Sequence, residues 1–209
     1  QVAKALGEIE DYKYFLDRSQ NSFNLLNVET GFFLAKTPEG EWVKKSHPSK
    51  KQSSHYMQAP YFYEGNGWVY SQFTPHNMKK LIKLRGGDQS FMSVADQMFE
   101  KGHYNINNEP GFLNPYVFNY AMRQDKTAAY IDHLLEREYC LGRIGLPVQD
   151  DSGAISTCYV WSSMGIFPVA GQPVYLIGRP IFDRVEIDLP NGKTFSIKSE
   201  NNSSKNKYI

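Results

Sequence analysis

Three segments set acidic side chains beside glycine or proline rather than on a charged helix face. They are YFYEGNGWVY (residues 61–70) with Glu64, YNINNEPG (104–111) with Glu109, and VQDDSGAIS (148–156) with Asp150 and Asp151. Each runs into a helical pattern, so these acids belong to loops at helix starts. A carboxylate there has two uses. It accepts from the unpaired N–H groups of the helix, or it stays free for proton transfer or for a cation. Glu64 lies among Tyr61, Phe62, Tyr63 and Trp68. Rings around a carboxyl disfavour the anion and raise its pKa, which suits a general acid; the same position suits a cap for a helix beginning near Gly67. Asp150 and Asp151 precede the small residues Ser152, Gly153 and Ala154. They read either as an ionised base facing water or as caps in an Asp-Asp-Ser-Gly turn. Asn107, Asn108 and Glu109 gather hard oxygen donors of the kind calcium takes, with no EF-hand spacing; an ordinary turn has the same composition.

Other chemistries are excluded by what is missing. His47, His55, His76, His103 and His133 form neither HExxH nor His-x-His, which removes the usual zinc and iron arrangements. Gly86-Gly87 is not followed by Gly-Lys-Ser/Thr, so it is no phosphate loop, and neither GxSxG nor a cysteine nucleophile motif occurs. Cys140 and Cys158 make no CxxC pair and leave room for a single disulfide. With 23 basic and 22 acidic residues, the net charge is +1. No global field recruits nucleic acid or an anionic membrane, and a neutral partner is favoured. No apolar run reaches the length of a membrane span. Aromatic residues make up 14% of the chain, a surplus that suits either a packed core or a cleft in which rings stack on sugars.

The elements that must position these loops follow from periodicity. Val2, Leu6, Ile9, Tyr12, Phe15 and Leu16 have helical spacing within residues 2–26. ETGFFLAKTPEGEWV (29–43) breaks it as a loop or short hairpin, and KKSHPSKKQSSHYMQAP (44–60) reads as an exposed excursion. Helices are predicted over 67–73 and 75–84, with Thr74 as N-cap, Pro75 at the first helical position and Gly86-Gly87 as the stop. Asp88 is expected to cap a helix over 90–101, and further helices are predicted over 115–122, 126–139 and 155–164. Stacked helical hairpins or a helical barrel result. After Pro168 the period becomes 2 in VYLIG, RVEIDL and TFSIK, with Asn191-Gly192 between the last two as a hairpin signal. The fold class is therefore mainly α with a small C-terminal β-hairpin or sheet unit, divided into a helical region 1–168 and strands over 169–209.

Taken together, YEGNGWVYSQFTPHNMKKLIKLRGG, NNEPG with FNYA following, DDSGAIS with YVWSSMGIFPV, and VYLIGRPIFDRVEIDLPNGKTFSIKSENNS resemble glycoside hydrolase family 92. These are calcium-dependent, inverting, exo-acting α-mannosidases. The resemblance implies part of an (α/α)6 barrel, Glu64 as general acid, Asp151 as general base with Asp150 beside it, and Asn108 and Glu109 as ligands of Ca2+. It also implies Trp68 as a wall of the sugar site, with Tyr63 and Gln149 at the substrate. A mannose-containing glycan is the implied partner. So is the remainder of a longer chain, because family members add an N-terminal β-sandwich and the rest of the barrel; the chain is expected to be a fragment. A secreted, periplasmic or other extracytoplasmic setting follows from family habit, and two adjoining sequons at Asn201 and Asn202 are compatible with it. Phe112-Leu113 stand where the family often has two histidines, and Gln149 where Asn or Asp is frequent. These departures bear on linkage preference rather than on reaction class. Glu64 argues against the family's mannose-1-phosphate-specific branch, which tends to carry Gln. The alternative from another class is a non-catalytic carbohydrate-binding or structural helical domain, favoured by Phe112, Leu113 and Cys158 and opposed by Glu64 with Asp151.

Overall fold

The structure, a computed structural model, describes residues 1–48, 61–203 and 205–206. It is 45% helical. The chain divides into two compact units, Gln1–Asn114 with Ala170–Gln172, and Pro115–Val169 with Pro173–Ile209.

In the first unit the long helical pattern breaks at Gly7, whose φ of +79° takes the left-handed region that glycine tolerates. The result is α1 (Val2–Ala5), α2 (Ile9–Arg18) and a 3-10 turn over Ser19–Leu25. The apolar stripe predicted here is real but uncovered: Val2, Leu6, Phe15 and Leu16 are exposed, and they line an open cavity of about 720 Å3 with His76 and Gln172. A hairpin forms next, β1 (Leu26–Asn27) antiparallel to β2 (Phe32–Phe33) with Leu26 opposite Phe33; its first strand lies ahead of the predicted 29–43 break, within which Lys36 bridges Trp42. Of the predicted excursion, a 3-10 turn over Lys44–Ser46 is described, and it buries Ser46. Residues 49–60 lie outside the described residues.

Three helices build the core of this unit: α3 (Gly67–Ser71), α4 (Met78–Leu84) and α5 (Asp88–Glu100). Phe91, Ala95 and Met98 repeat at i, i+4 and i+7 and are fully buried on α5, which packs on α4, where Leu81 and Ile82 are also buried. Two capping expectations are corrected. The N-cap of α4 is Asn77, whose Oδ1 accepts from Lys80 N at 3.1 Å, and not Thr74. Thr74 and Pro75 instead form a turn closed by Asn77 N donating to Thr74 O at 2.8 Å, which delays the helix by one turn. Asp88 is the first residue of α5 rather than its cap; Gly87, at φ +90°, holds the cap position. Arg85 closes α4 as a buried cation. Its Nη1 donates to Ser71 O and Gln72 Oε1, both at 2.9 Å, and burial pulls its pKa down to about 10.

A 3-10 segment, Asn114–Ala121, leads into the second unit where the spacing predicts an α-helix. Tyr116, Val117 and Phe118 are consecutive and all fully buried, so packing on every side shapes the segment, not an amphipathic stripe. The helices α6 (Gln124–Glu138) and α7 (Ala154–Met164) follow. Tyr116 OH donates to Ser162 Oγ at 3.0 Å, and Tyr139 OH to Ile155 O at 3.1 Å. Asp132 on α6 receives Arg179 in a largely buried ion pair, and Arg179 Nη1 also donates to Asn202 Oδ1 at 2.9 Å. The period change after Pro168 appears as three strands, and Ile166–Pro168, within the predicted helical region, adds a fourth to make two antiparallel pairs. β3 (Ile166–Pro168) pairs with β4 (Tyr175–Ile177), and β5 (Arg184–Asp188) with β6 (Thr194–Lys198), placing Arg184 opposite Lys198. The loop Pro190-Asn191-Gly192 closes the second pair with Gly192 at φ +77°, the left-handed third position of a three-residue hairpin loop.

Both cysteines are free: Cys140 is exposed and Cys158 is buried, so the single disulfide for which the sequence left room does not form. Burial pushes the Cys158 thiol up to about 11, with hydrogen bonds to Tyr139 and Ser162 pulling the other way. At neutral pH, alkylation followed by peptide mapping should mark Cys140 and spare Cys158; equal labelling would contradict this packing. The unfolded chain releases the Cys158 proton near its ordinary value of 9.0, the folded protein only near 11. Folding stability should therefore fall as pH rises between about 9 and about 11, and Cys158→Ala should flatten that part of the denaturation profile.

Candidate active site

The predicted site residues fall into two groups. Glu64, Tyr63, Trp68, Asn108 and Glu109 belong to the first unit; Gln149, Asp150 and Asp151 belong to the second.

Glu64 sits three residues before α3, in the left-handed region at φ +52°. It does not cap the helix. Asn66 does, its Oδ1 accepting from Trp68 N at 2.9 Å and Val69 N at 3.0 Å, while its Nδ2 donates to His103 O at 2.9 Å. The Glu64 carboxylate carries no hydrogen bond or ion pair among the described residues. The aromatic enclosure expected around it is formed differently. Tyr61 and Tyr63 turn to solvent, Tyr63 at 78% exposure, while Phe62 stacks on Tyr70 with centroids 5.5 Å apart. Trp68 packs one face on His103, rings 4.5 Å apart and 11° from parallel, and meets Phe32 edge-on at 4.9 Å. That indole face is covered by the imidazole. Burial, with the charge of Lys101 added, lowers the pKa of His103 and so disfavours the imidazolium form in this stack. Trp68 Nε1 is buried with no acceptor among the described residues.

The Asn108–Glu109 turn neighbours the Glu64 turn: a Cβ placed on Gly65 would lie 3.7 Å from Pro110 Cβ. Asn108 is buried, and its Oδ1 accepts from Glu109 N at 3.1 Å at the start of the 3-10 turn Glu109–Gly111. Glu109 is exposed, with no side-chain partner among the described residues. The pair fits a hard cation in donor chemistry, since a carboxamide oxygen keeps a second lone pair after accepting one N–H. It fills only part of a six-to-eight-oxygen shell, and no group of three or more His, Cys, Asp or Glu side chains suited to a metal occurs among the described residues.

In the second unit the two adjacent acids divide their tasks. Gly153 holds the N-cap position of α7, and Asp150, three residues before it, caps the first turn from outside, Oδ1 accepting from Ser156 N at 2.7 Å and Oδ2 from Ser156 Oγ at 2.8 Å. Asp151 is exposed, without a side-chain partner among the described residues, and lies in the left-handed region at φ +46°, followed by Ser152 at +59° and Gly153 at +93°. Gln149 is exposed beside them. Tyr139, Leu146, Val148, Ser156 and Tyr159 line a second cavity of about 720 Å3 behind this turn.

Sequence reasoning passes over three residues that shape these turns: Asn66, Tyr70 and His103. Asn66 carries a legible signal, an Asn directly before a helical run. Tyr70 and His103 carry none, because their contacts with residues 62–68 depend on how the segments pack.

A sequence model of the glycosyl hydrolase family 92 catalytic domain matches residues 1–209. An uncharacterized secreted glycosidase from Arthroderma benhamiae is 32% identical over 235 residues, covering 100% of this chain and 29% of the relative. Among solved structures, a family GH92 α-mannosidase from Bacteroides thetaiotaomicron in complex with mannoimidazole matches with a TM-score of 0.89 at 27% identity, over 99% of this chain and 30% of that one. The GH92 family glycosyl hydrolase ccman5 matches in fold, with a TM-score of 0.82 at 19% identity, over 97% of this chain and 32% of that one. The chain thus spans about 29% of the length of its curated relative. These likenesses identify the helices as part of an α/α barrel, in keeping with the fold expected from the sequence. By the match across all of its residues, the chain belongs to glycosyl hydrolase family 92.

Proposed function

We propose that the full-length protein containing this chain is an exo-acting, inverting α-mannosidase that removes terminal α-linked mannose from a glycan, with Glu64 as general acid and Asp151 as general base. The observation that supports this reading is that Glu64 and Asp151 carry no side-chain hydrogen bond or ion pair among the described residues, in a chain whose fold matches that of an α-mannosidase at a TM-score of 0.89. Protonated Glu64 donates to the glycosidic oxygen as the bond from that oxygen to the anomeric carbon breaks. Ionised Asp151 accepts a proton from water, whose oxygen attacks the opposite face of the same carbon. Mannose leaves with inverted configuration, Glu64 ends ionised and Asp151 ends protonated.

Asn108 and Glu109 would hold a calcium ion, which when bound supplies positive charge and fixed geometry for sugar hydroxyls. Glu109 contributes the carboxylate, and the buried Asn108 holds the turn that presents it. Because the curated relative is described as a secreted glycosidase, we place the protein outside the cytoplasm.

Activity of the full-length protein on a mannose disaccharide and on an aryl α-mannoside with an activated leaving group tests the roles. Glu64→Gln should lower turnover of the disaccharide by about 10²- to 10⁴-fold and spare much of the aryl rate, because an activated leaving group needs little protonation. Asp151→Asn should lower both. Sugar binding without turnover in the unsubstituted protein would favour a carbohydrate-binding domain instead. Asp150→Ala should act on stability, costing about 1 kcal/mol in denaturant unfolding through loss of the α7 cap. Chelation should abolish activity and calcium restore it, and Glu109→Ala should weaken calcium binding by calorimetry; unchanged binding would remove Glu109 from the metal site.

A further inference from the structure

We propose that Tyr70 is a positioning residue for Glu64, clamping the turn on both sides of the carboxylate; this rests on the general-acid reading of Glu64. Tyr70 lies on α3, six residues beyond Glu64, and folds back over the turn that precedes its own helix. Its hydroxyl donates to Tyr63 O at 2.6 Å, fixing the carbonyl just before Glu64. Its ring edge covers Gly65, just after Glu64, so closely that a Cβ there would lie 2.8 Å from Tyr70 Cε2 and 3.3 Å from Cδ2. Phe62 stacks on the same ring and completes the brace. Between these contacts Glu64 adopts its left-handed conformation at φ +52°. A residue with a Cβ holds that conformation only when its surroundings impose it, and here Tyr70 supplies the imposing contacts from one side chain.

The phenol and the carboxylate are near each other: burial raises the Tyr70 pKa, and the Glu64 charge raises it further. The phenolic hydrogen is nevertheless committed to Tyr63 O, so Tyr70 holds the acid in place without relaying a proton to it. The aromatic surplus noted in the sequence thus has one member whose task is backbone geometry. Gly65 has a matching reason to be glycine, since it admits the ring.

Tyr70→Phe in the full-length protein tests this, measured beside Glu64→Gln on the disaccharide and the activated aryl mannoside. Misplacing an acid harms the substrate that needs it. Tyr70→Phe should lower kcat on the disaccharide by about tenfold, leave the aryl rate within about threefold, and change KM little. Gly65→Ala, which drives a methyl against the same ring, should give the same split, and the two losses should not add because they disable one device. Thermal unfolding of each variant separates this from general loss of folded protein, which lowers both rates alike. If Glu64→Gln shows the leaving-group split and neither Tyr70→Phe nor Gly65→Ala does, the positioning role is wrong and the acid stands. If Glu64→Gln shows no split, the acid assignment fails and the role of Tyr70 falls with it.

Discussion

The first N–H groups of a helix have no partner within it, and something must accept from them. In this protein the identity of that acceptor decides which acids remain available for chemistry. Asn66 accepts for α3, Asp150 for α7, and Asn108 for the 3-10 turn at Glu109–Gly111. Each acceptor stands within two residues of an acid that has no side-chain partner among the described residues: Glu64, Asp151 and Glu109. An acid spent on capping has its lone pairs committed and its charge tied to the helix end. Its uncapped neighbour keeps both, at a helix start where backbone N–H groups already favour negative charge.

Backbone strain accompanies this division of labour. Glu64 and Asp151 both occupy the left-handed region, as does Ser152. Such conformations are held by neighbours, and the two turns are held by different means. Around Glu64 the brace is aromatic, Tyr70 and Phe62 on one side and the Asn66 cap on the other. At Asp151 the brace is polar: Asp150 grips Ser156 through both carboxylate oxygens, and Gly153 absorbs the remaining turn at φ +93°. Residues placed this way resist rearrangement while their side chains remain accessible, which is what a proton-transferring group requires.

The interior of each unit supports these turns with a few buried polar contacts. Arg85 reaches from the end of α4 to Ser71 O, anchoring the C-terminus of the helix whose N-terminus follows Glu64. In the second unit, Asp132 and Arg179 join α6 to the segment after β4, and Tyr139 OH ties the end of α6 to Ile155 on α7. Each is a contact between residues well separated in the chain, made in buried or largely buried surroundings, so loss of one partner leaves the other poorly compensated.

Much of the architecture was legible in the sequence because it depends on neighbours. Periodicity marked α5, α6 and α7, the switch to period 2 marked β4, β5 and β6, and Asn191-Gly192 marked the hairpin of the last two, all through local spacing and turn preferences; β3, inside the region read as helical, went unmarked. The acid-bearing loops were legible for the same reason: glycine, proline and asparagine beside a carboxylate signal a helix start. What packing alone decided was the use of each group. Only the folded chain made Asn77 rather than Thr74 the cap of α4, turned residues 114–121 into a 3-10 segment, and laid His103 over Trp68. It also separated the capping Asp150 from the free Asp151 and brought Tyr70 back over Gly65. A sequence determines which residues are able to cap, stack or titrate. Which of them are already engaged depends on contacts across many residues, and those exist only once the tertiary structure has excluded water and fixed the distances.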